Sequence, residues 1–458
     1  MKILILGGGQ VGSSVAANLA SESNDITLVD TRQDRLNELR DRLDIQTVCG
    51  KGSHPSVLKQ AGIEDVDLLI AVTNSDEINM IACQVAHTLF HTPTRIARVR
   101  SKEYLQHDVL FDDDHIPVDV LISPEQIVSR YVQRLIEYPG ALQVLDFADG
   151  KVQLVGMRAY YGGPMVGHEI RTLRDHVPGV DTRVAAIYRR GKGIVTKGGV
   201  VIEADDEVFF IAAREHIKTV MSEMRKLDKT ARRIMLVGGG NIGHRLARAL
   251  EKKHQVKVLE HNAARAQYLC ESLNDAIVLH GDAADEELLL EENVDQMDIF
   301  VALTNDDQAN ILSAMLAKKL GVRKVMSLIN RPAYVDLVES QGNIDVALSP
   351  QQITIGALLT HVRRADVVSV HSLRRGAAEA IEIIAHGDNK TSRVVGRMIE
   401  EIILPEGVTI GAVVRGDEVI MGHHDVVIES EDHVIIFLLD KNKIPLVEKL
   451  FQVNVSFF

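Results

Sequence analysis

The sequence predicts an α/β protein made of two tandem Rossmann-like domains, each a doubly wound parallel sheet followed by a small α+β C-terminal lobe. A glycine-rich signature, Lys2-Ile-Leu-Ile-Leu-Gly-Gly-Gly-Gln-Val-Gly12, returns as Arg233-Ile-Met-Leu-Val-Gly-Gly-Gly-Asn-Ile-Gly243. Each copy closes an apolar strand pattern and opens a helical one, the context that separates a nucleotide fingerprint from a chance GxGxxG. Register is also kept. Gly7 and Gly238 stand 231 residues apart, as do Ala71-Val-Thr-Asn-Ser-Asp-Glu-Ile-Asn79 and Ala302-Leu-Thr-Asn-Asp-Asp-Gln-Ala-Asn310. Two halves in constant register are copies of one unit.

Residues 2–6 form the first strand, and Val15 and Leu19 mark the helix after Gly12. Ile26–Val29 is a second strand ending in Asp30, which completes a βαβ unit of about 30 residues. Leu36, Leu39 and Leu43 repeat at helical spacing. Thr47–Cys49, Leu68–Val72, Ile96–Val99 and Val118–Ile122 supply four more strands, and this alternation argues for a parallel sheet. Ser123-Pro124-Glu125 opens a helix with a capping serine and a proline at the first position, and Val346-Ala-Leu-Ser-Pro350 repeats that ending. The Rossmann lobes therefore span 1–123 and 232–348. After Pro139-Gly140 the pattern becomes short β-branched runs, Val152–Val155, Val184–Ile187 and Val208–Ile211, separated by Gly162-Gly-Pro164 and Arg190-Gly-Lys-Gly193. This predicts small lobes at 140–224 and 366–453, with Val166-Gly167 and Glu203-Ala-Asp-Asp206 recurring as Val395-Gly396 and Glu429-Ser-Glu-Asp432. The basic stretch Arg225–Arg233 is expected to be a solvated linker.

Composition narrows the class. The net charge is −13, there is no Trp and aromatic residues make up 4%, so neither a basic backbone-tracking surface nor a base-stacking platform is apparent and nucleic acid is not an expected partner. Cys49, Cys83 and Cys270 lack CxxC spacing, which fits a reducing cytosol, and are expected to be small buried residues. No apolar stretch approaches the roughly 18–20 residues needed to span a bilayer.

The chemistry of a nucleotide site is legible in both halves. Gly7 permits the tight turn, Gly9 lets a pyrophosphate approach the backbone, and Gly12 lets helix and strand pack closely. The N–H groups of Gly9, Gln10 and Val11 face the anion along the helix dipole, with Gly8 between them. Gly238, Gly239, Gly240, Asn241, Ile242 and Gly243 repeat the arrangement. Asp30 lies 18 residues beyond Gly12 and Glu260 lies 17 beyond Gly243. A carboxylate there receives ribose hydroxyls and repels a 2′-phosphate, favouring NAD(H) or an adenine nucleotide over NADP. Thr73, Asn74, Thr304 and Asn305 end strands at the carboxyl edge, where open α/β sheets bind ligands. Helix capping is the alternative role for Asn74. Arg98 either reaches a phosphate or forms an ion pair, and Ser327 stands near its place in the second half. No GxxxxGK[ST] is present, which disfavours a P-loop hydrolase.

The GGGQVG turn, Asp30, Ala71-Val-Thr-Asn74, Ser123-Pro-Glu125, the small lobe and the second copy of the whole resemble the tandem RCK (also called KTN) regulatory proteins of bacterial Trk potassium-uptake systems. The resemblance implies a non-enzymatic, cytoplasmic subunit that assembles as a homo-oligomeric ring, a tetramer. It implies binding of NAD(H) or ATP and ADP in the N-terminal lobes and gating of a separate membrane potassium channel subunit, so that the protein is peripheral on the inner membrane's cytoplasmic face. Nucleotide contacts then fall on Gly7–Val11, Asp30, Thr73, Asn74 and Arg98, and on Gly238–Ile242 and Glu260. The family often has Asp or Asn after the third strand, whereas this chain has Gly50-Lys51-Gly52. Gly281-Asp282 keeps the acidic version.

The rival reading is an NAD-dependent oxidoreductase, since the same fingerprint serves hydride transfer. Tyr188-Arg-Arg-Gly-Lys192 matches YxxxK, but its glycines place it on a hairpin turn. His87 and His91 have helical spacing without an evident third metal ligand, His423-His424-Asp425 reads as a turn, and Asp112-Asp-Asp114 lacks calcium-loop spacing.

Overall fold

The computed structural model describes residues 1–20, 24–196, 198–224, 231–362, 366–373 and 378–453. The first half begins β1 (Lys2–Leu6), α1 (Gln10–Ala20), β2 (Asp25–Asp30), α2 (Gln33–Arg40), β3 (Gln46–Cys49) and α3 (Pro55–Gln60). It continues with β4 (Leu68–Ala71), α4 (Asp76–Phe90), β5 (Thr94–Arg98), α5 (Lys102–Leu105), β6 (Val120–Ile122) and α6 (Pro124–Glu137). The strands form one parallel sheet in the order β3-β2-β1-β4-β5-β6. Central strands are covered by helices on both faces and so read as unbroken apolar runs; every residue of β4 is buried.

The small lobe that follows holds β7 (Ala141–Phe147), β8 (Val152–Arg158), α7 (Leu173–His176), β9 (Thr182–Arg189), β10 (Lys192–Ile194), β11 (Glu207–Ala213) and α8 (Ile217–Met224). Its five-stranded antiparallel sheet runs β10-β9-β11-β8-β7. The linker expected at Arg225–Arg233 lies outside the described residues from 225 to 230.

The second half repeats the plan. Its Rossmann elements are β12 (Arg233–Val237), α9 (Asn241–Leu250), β13 (Gln255–Glu260), α10 (Ala263–Ser272), β14 (Ile277–His280) and α11 (Glu286–Glu291). Then come β15 (Ile299–Ala302), α12 (Asp307–Lys319), β16 (Lys324–Leu328), α13 (Pro332–Gln341), β17 (Val346–Leu348) and α14 (Pro350–Leu359). The sheet order is β14-β13-β12-β15-β16-β17. The last lobe has β18 (Val367–Leu373), β19 (Ala378–Ile384), β20 (Val408–Arg415), β21 (Glu418–Met421), β22 (His433–Leu438) and α15 (Ile444–Phe451), in the sheet order β18-β19-β22-β20-β21.

Two compact units result. One is Met1–Val128 with Ser349–Leu358, and the other is Ser129–Leu348 with the chain from Leu359 onward. The helix after each Rossmann lobe thus packs on the other half. In the first unit the Ser14 hydroxyl donates to Gln351 Oε1 of α14 at 3.1 Å. In the second, Lys324 Nζ donates to the Leu135 carbonyl of α6 at 3.0 Å. Also in the second unit, both antiparallel sheets share one core: Leu145, Phe147, Phe209 and Ile211 are clustered with Leu373, Ala412, Ile435 and Phe437. The recurring acidic corners have a structural reason. Asp206 accepts Arg189 Nε at 2.8 Å and the Glu203 N–H at 2.8 Å, and Asp432 accepts Arg415 Nε at 2.8 Å and the Glu429 N–H at 2.7 Å.

Several local expectations change. Leu43 lies beyond α2, and β7 has a single β-branched residue, Val144. Cys83 is buried as expected, but Cys49 and Cys270 are exposed. The Ser123 hydroxyl does not cap α6; it has no partner among the described residues, and the serine's carbonyl accepts the Gln126 and Ile127 N–H groups instead. Among the described residues no helix is long and apolar enough to cross a membrane.

Burial pushes the Cys83 thiol up to about 12. A thiol reagent at about pH 8 will therefore modify Cys49 and Cys270 in the folded chain and Cys83 only after unfolding, as mass spectrometry of the peptides will read. A second prediction concerns Glu251, which is buried and accepts N–H bonds from Asn274, Asp275 and Ala276 at 2.9, 2.9 and 3.2 Å. Burial works against its charge, but those three donors hold its carboxyl below the usual range. A depressed carboxyl stabilises the fold above its unfolded pKa, and the contribution fades as pH falls through the folded value. Glu251→Ala should cost about 2–4 kcal/mol at neutral pH. The deficit should shrink below about pH 4, measured by urea unfolding or amide exchange at Ile277–His280.

Candidate nucleotide sites

Both glycine-rich turns are shaped first by packing. Gly7 and Gly238 have φ of +101° and +93°, so a side chain would be strained there. A Cβ on Gly12 would lie 1.9 Å from the Gly7 carbonyl oxygen, and one on Gly243 1.9 Å from that of Gly238. These glycines let α1 and α9 start hard against the ends of β1 and β12. Gly8 and Gly239 are also confined, by Leu28 and Leu269.

Gly9 and Gly240 differ. A Cβ at Gly9 would come no closer than 3.9 Å to Arg35, and one at Gly240 would meet nothing within 4 Å. Gly240 has an ordinary φ of −62°. Protein packing does not require glycine at either position, and the space in front of each helix N-terminus is open. Gln10, Val11, Asn241 and Ile242 open the two helices, where the first N–H groups lack intrahelical acceptors. An anion fits this cradle.

The acids stand beside it. Asp30 Oδ2 accepts the Gly8 N–H at 2.7 Å and Oδ1 accepts the Arg32 N–H at 2.9 Å. Glu260 Oε2 accepts the Gly239 N–H at 2.7 Å and Oε1 the Asn262 N–H at 2.8 Å. Each carboxylate therefore fastens its turn, and each oxygen retains a lone pair for a ribose hydroxyl. Arg35 lies 3.6 Å from Asp30. Arg265 instead donates to the Gly239 carbonyl at 2.7 Å and stacks on Tyr268.

At the end of β4 the threonines are braces. Thr73 donates its N–H and its hydroxyl to Asn79 Oδ1 at 2.9 and 2.7 Å, while Asn79 Nδ2 donates to the Arg98 carbonyl at 2.9 Å. Thr304 and Asn310 repeat this with the Leu328 carbonyl, again at 2.9, 2.7 and 2.9 Å. Asn74 and Asn305 are exposed at the same edge. Asn74 does not cap α4: Ser75 accepts the Ile78 N–H, and Asp306 is the matching cap in the second half. Sequence reasoning missed the roles of Asn79 and Asn310 and of buried Asp76 and Asp307, which fasten the loops after β5 and β16 through the N–H groups of Arg100 and Asn330 at 2.8 Å each. Their signal was repetition at matching positions in both halves.

Lys51 and Asp282 are exposed after β3 and β14. Arg98 NH2 lies 3.2 Å from Glu125 Oε1 in a mostly buried ion pair, with side chains 19% and 15% exposed. The position of Arg98 in the second half falls to Leu328, not Ser327. Arg98 pairs with Ile122 as Leu328 pairs with Leu348, and Ser327 sits one residue earlier against Ala347. Leu68 to Thr94 spans 26 positions and Ile299 to Lys324 spans 25, and this one-residue shortening moves the register.

The rival chemistries do not assemble. Tyr188 and Lys192 flank a two-residue hairpin turn at Arg190 and Gly191, with φ of +50° and +79°. His87 accepts Arg95 NH1 at 2.7 Å, and His423 lies 2.8 Å from Asp181. No group of three metal-ligating side chains occurs among the described residues.

Fold and sites define a tandem Rossmann protein with two dinucleotide-type cradles and paired α+β lobes. The TrkA-N domain profile matches residues 3–124 and 234–350, and the TrkA-C domain profile matches residues 154–225 and 389–452. Trk system potassium uptake protein TrkA of Halomonas elongata is 64% identical and that of Vibrio alginolyticus 60%, each over 100% of both chains. A TrkA homolog of Methanosarcina mazei is 32% identical over 99% of this chain and 100% of its own. The chain belongs to the TrkA family of potassium uptake proteins, a regulatory and non-enzymatic family. Among solved structures it is similar in fold to the GsuK RCK domain, with TM-score 0.62 and 17% identity over 98% of this chain and 94% of that one. It is equally similar to the GsuK channel bound to NAD, with TM-score 0.62 and 17% identity over 98% and 78%.

The open and closed glycines separate experimentally. Gly12→Ala and Gly243→Ala should destabilise their lobes by at least about 2 kcal/mol, because backbone must move. Gly240→Ala should leave thermal stability nearly unchanged yet weaken nucleotide binding about tenfold, roughly 1.4 kcal/mol, in calorimetry.

Proposed function

We propose that the chain is a cytoplasmic regulator that binds NAD(H), or ATP and ADP, in both Rossmann lobes and thereby gates the membrane potassium channel subunit of a Trk system. The lobes at 1–123 and 232–348 carry the nucleotide; those at 140–224 and 366–453 complete each RCK repeat. Contacts come from Gly7–Gly12, Asp30, Thr73, Asn74 and Arg98 in the first lobe and Gly238–Gly243, Glu260, Asp282, Thr304 and Asn305 in the second. The observation that carries the reading is the pair of open cradles at Gly9 and Gly240, each with a carboxylate fastened beside it. Asp30 and Glu260 disfavour a ribose 2′-phosphate, which supports NAD(H) or adenine nucleotides over NADP. NAD binding by the GsuK channel, of the same fold, agrees with this. Gating follows if copies of the chain form a tetrameric ring on the inner face of the membrane, and nucleotide prefers one arrangement of that ring.

Calorimetry of NADH, NAD, ATP and ADP binding to the full chain tests the reading, alongside potassium uptake by cells depending on it. Asp30→Ala and Glu260→Ala should each weaken one class of site about 10- to 100-fold, the worth of a charged hydrogen bond. Uptake should respond to these substitutions without any hydride transfer. Absence of saturable binding in the unmodified chain would overturn the reading.

A further inference from the structure

One arginine of the first small lobe is half-buried with no acid to balance it. We propose that Arg183, with Arg174 and His423, forms a binding site for a small oxyanion, a phosphate or a carboxylate, at the seam between the two small lobes. The proposal does not depend on nucleotide binding.

Arg183 lies near the start of β9, a strand whose residues are otherwise buried except at its last position, Arg189. Its NH1 donates to the Gly422 carbonyl of the second small lobe. Burial alone holds it below the usual arginine range, and no neighbouring acid offsets that. A guanidinium drawn partly out of water onto one neutral carbonyl is unfavourable unless an anion completes it. Comparable arginines of the small lobes are completed: Arg189 and Arg415 lie 2.8 Å from Asp206 and Asp432. In Arg183 the Nε and NH2 groups are used by no described residue and are not sealed from solvent, so they remain for a ligand.

Further donors stand beside it. Arg174, on α7, places NH2 at 3.0 Å from His423 Nδ1 and 2.7 Å from Nε2, and His423 Nε2 lies 2.8 Å from Asp181 Oδ1. His423 follows Gly422 directly, so both arginines meet one short stretch of the second lobe, whose consecutive Cα atoms are about 3.8 Å apart. Two guanidiniums and one carboxylate are gathered there, and the carboxylate is already engaged by His423. One positive charge is left over before His423 is counted. A planar guanidinium with free N–H groups takes a carboxylate or a phosphate through two parallel bonds.

Duplication shows that the fold does not require these charges. Arg183 pairs with Ile211 as Thr409 pairs with Phe437, so a threonine takes the arginine's place in the second lobe, and Gly407 takes that of Asp181. α7 has no counterpart between the turn at Ile399–Glu401 and β20. The charged groups of the first lobe therefore stand on an added helix and at positions where the common plan accepts threonine or glycine. An oxyanion bound there joins α7 and β9 of one small lobe to the turn after β21 of the other, and it stabilises that junction in proportion to its occupancy.

The test uses the full chain, with inorganic phosphate and succinate as separate probes and potassium chloride at matched ionic strength as the reference. Hydrogen–deuterium exchange locates the effect and so separates this site from the glycine-rich turns, where phosphate also fits. Exchange across 173–183 and 421–424 should slow several-fold and saturably with at least one probe. Phosphate acting alone assigns the site to phosphate-bearing ligands, succinate alone to carboxylates, and both together to oxyanions of either kind. Arg183→Gln keeps a donor for the Gly422 carbonyl but loses the charge, and it should weaken the affinity read from saturation at least about tenfold; Arg174→Ala should weaken it about threefold. Thr409→Val should leave it within about twofold, as expected of an uncharged position outside the site. Thermal unfolding reports whether Arg183→Gln folds, and the exposed Arg174 carries the test if it does not. An unchanged affinity in Arg183→Gln, or in Arg174→Ala should the first variant not fold, overturns the site, as does protection no greater than chloride gives.

Discussion

A contact with no room for a methyl group sets both glycine-rich turns. The Gly7 carbonyl and the Gly12 Cα meet so closely that any side chain at Gly12 would overlap the oxygen, and Gly238 and Gly243 do the same. Because the helix starts there, its unsatisfied N–H groups converge on one point at the strand ends. Other features of the site are placed relative to that point. Asp30 and Glu260 take the N–H of the second glycine, and Asn79 and Asn310 tie the ends of β4 and β5, and of β15 and β16, at the far side of the crevice.

Duplication makes it possible to separate what the fold needs from what one site needs. Glycines, acid, threonine and asparagine recur, and the acids' bonds to the second glycine are 2.7 Å in both halves and the asparagines' bonds to the strand-end carbonyls 2.9 Å in both. The same holds in the small lobes, where the Arg189–Asp206 and Arg415–Asp432 pairs recur. Features under no such common demand have diverged. Lys51 corresponds to Asp282, Arg98 to Leu328, and Glu125 to Gln351. These substitutions lie after the third strand, at the end of the fifth strand and at the start of the helix that follows the sheet.

The Rossmann strands were legible because burial on both faces writes apolar runs, and the glycines because sterics leave no alternative. β7 was not legible: Ala141-Leu-Gln-Val-Leu-Asp-Phe147 has one β-branched residue and owes its place to the shared core of the two small lobes, a long-range fact. Cys49 was expected inside because cysteine usually is, yet it lies on β3, the sheet's edge strand, whose end residues face solvent. Ser123 carried every local mark of a capping residue, but its carbonyl does that work and its hydroxyl points elsewhere. The assignment of Ser327 missed by one residue because the interval from β15 to β16 is one residue shorter than that from β4 to β5, Ile299 to Lys324 against Leu68 to Thr94, so the offset of 231 no longer holds at the fifth strand.

The division of the chain is less symmetric than its sequence. Both small lobes bury a common core, and the second Rossmann lobe belongs to the same compact unit, so three of the four lobes are bound together by packing. The first Rossmann lobe forms the other unit with the start of α14. Each unit has a core of its own, and packed interiors resist small displacements. The Arg98–Glu125 pair is found in this lobe, next to a helix that leads out of it. In the second half the corresponding positions are divided between the units, Leu328 in the larger and Gln351 in the smaller, and neither carries a charge.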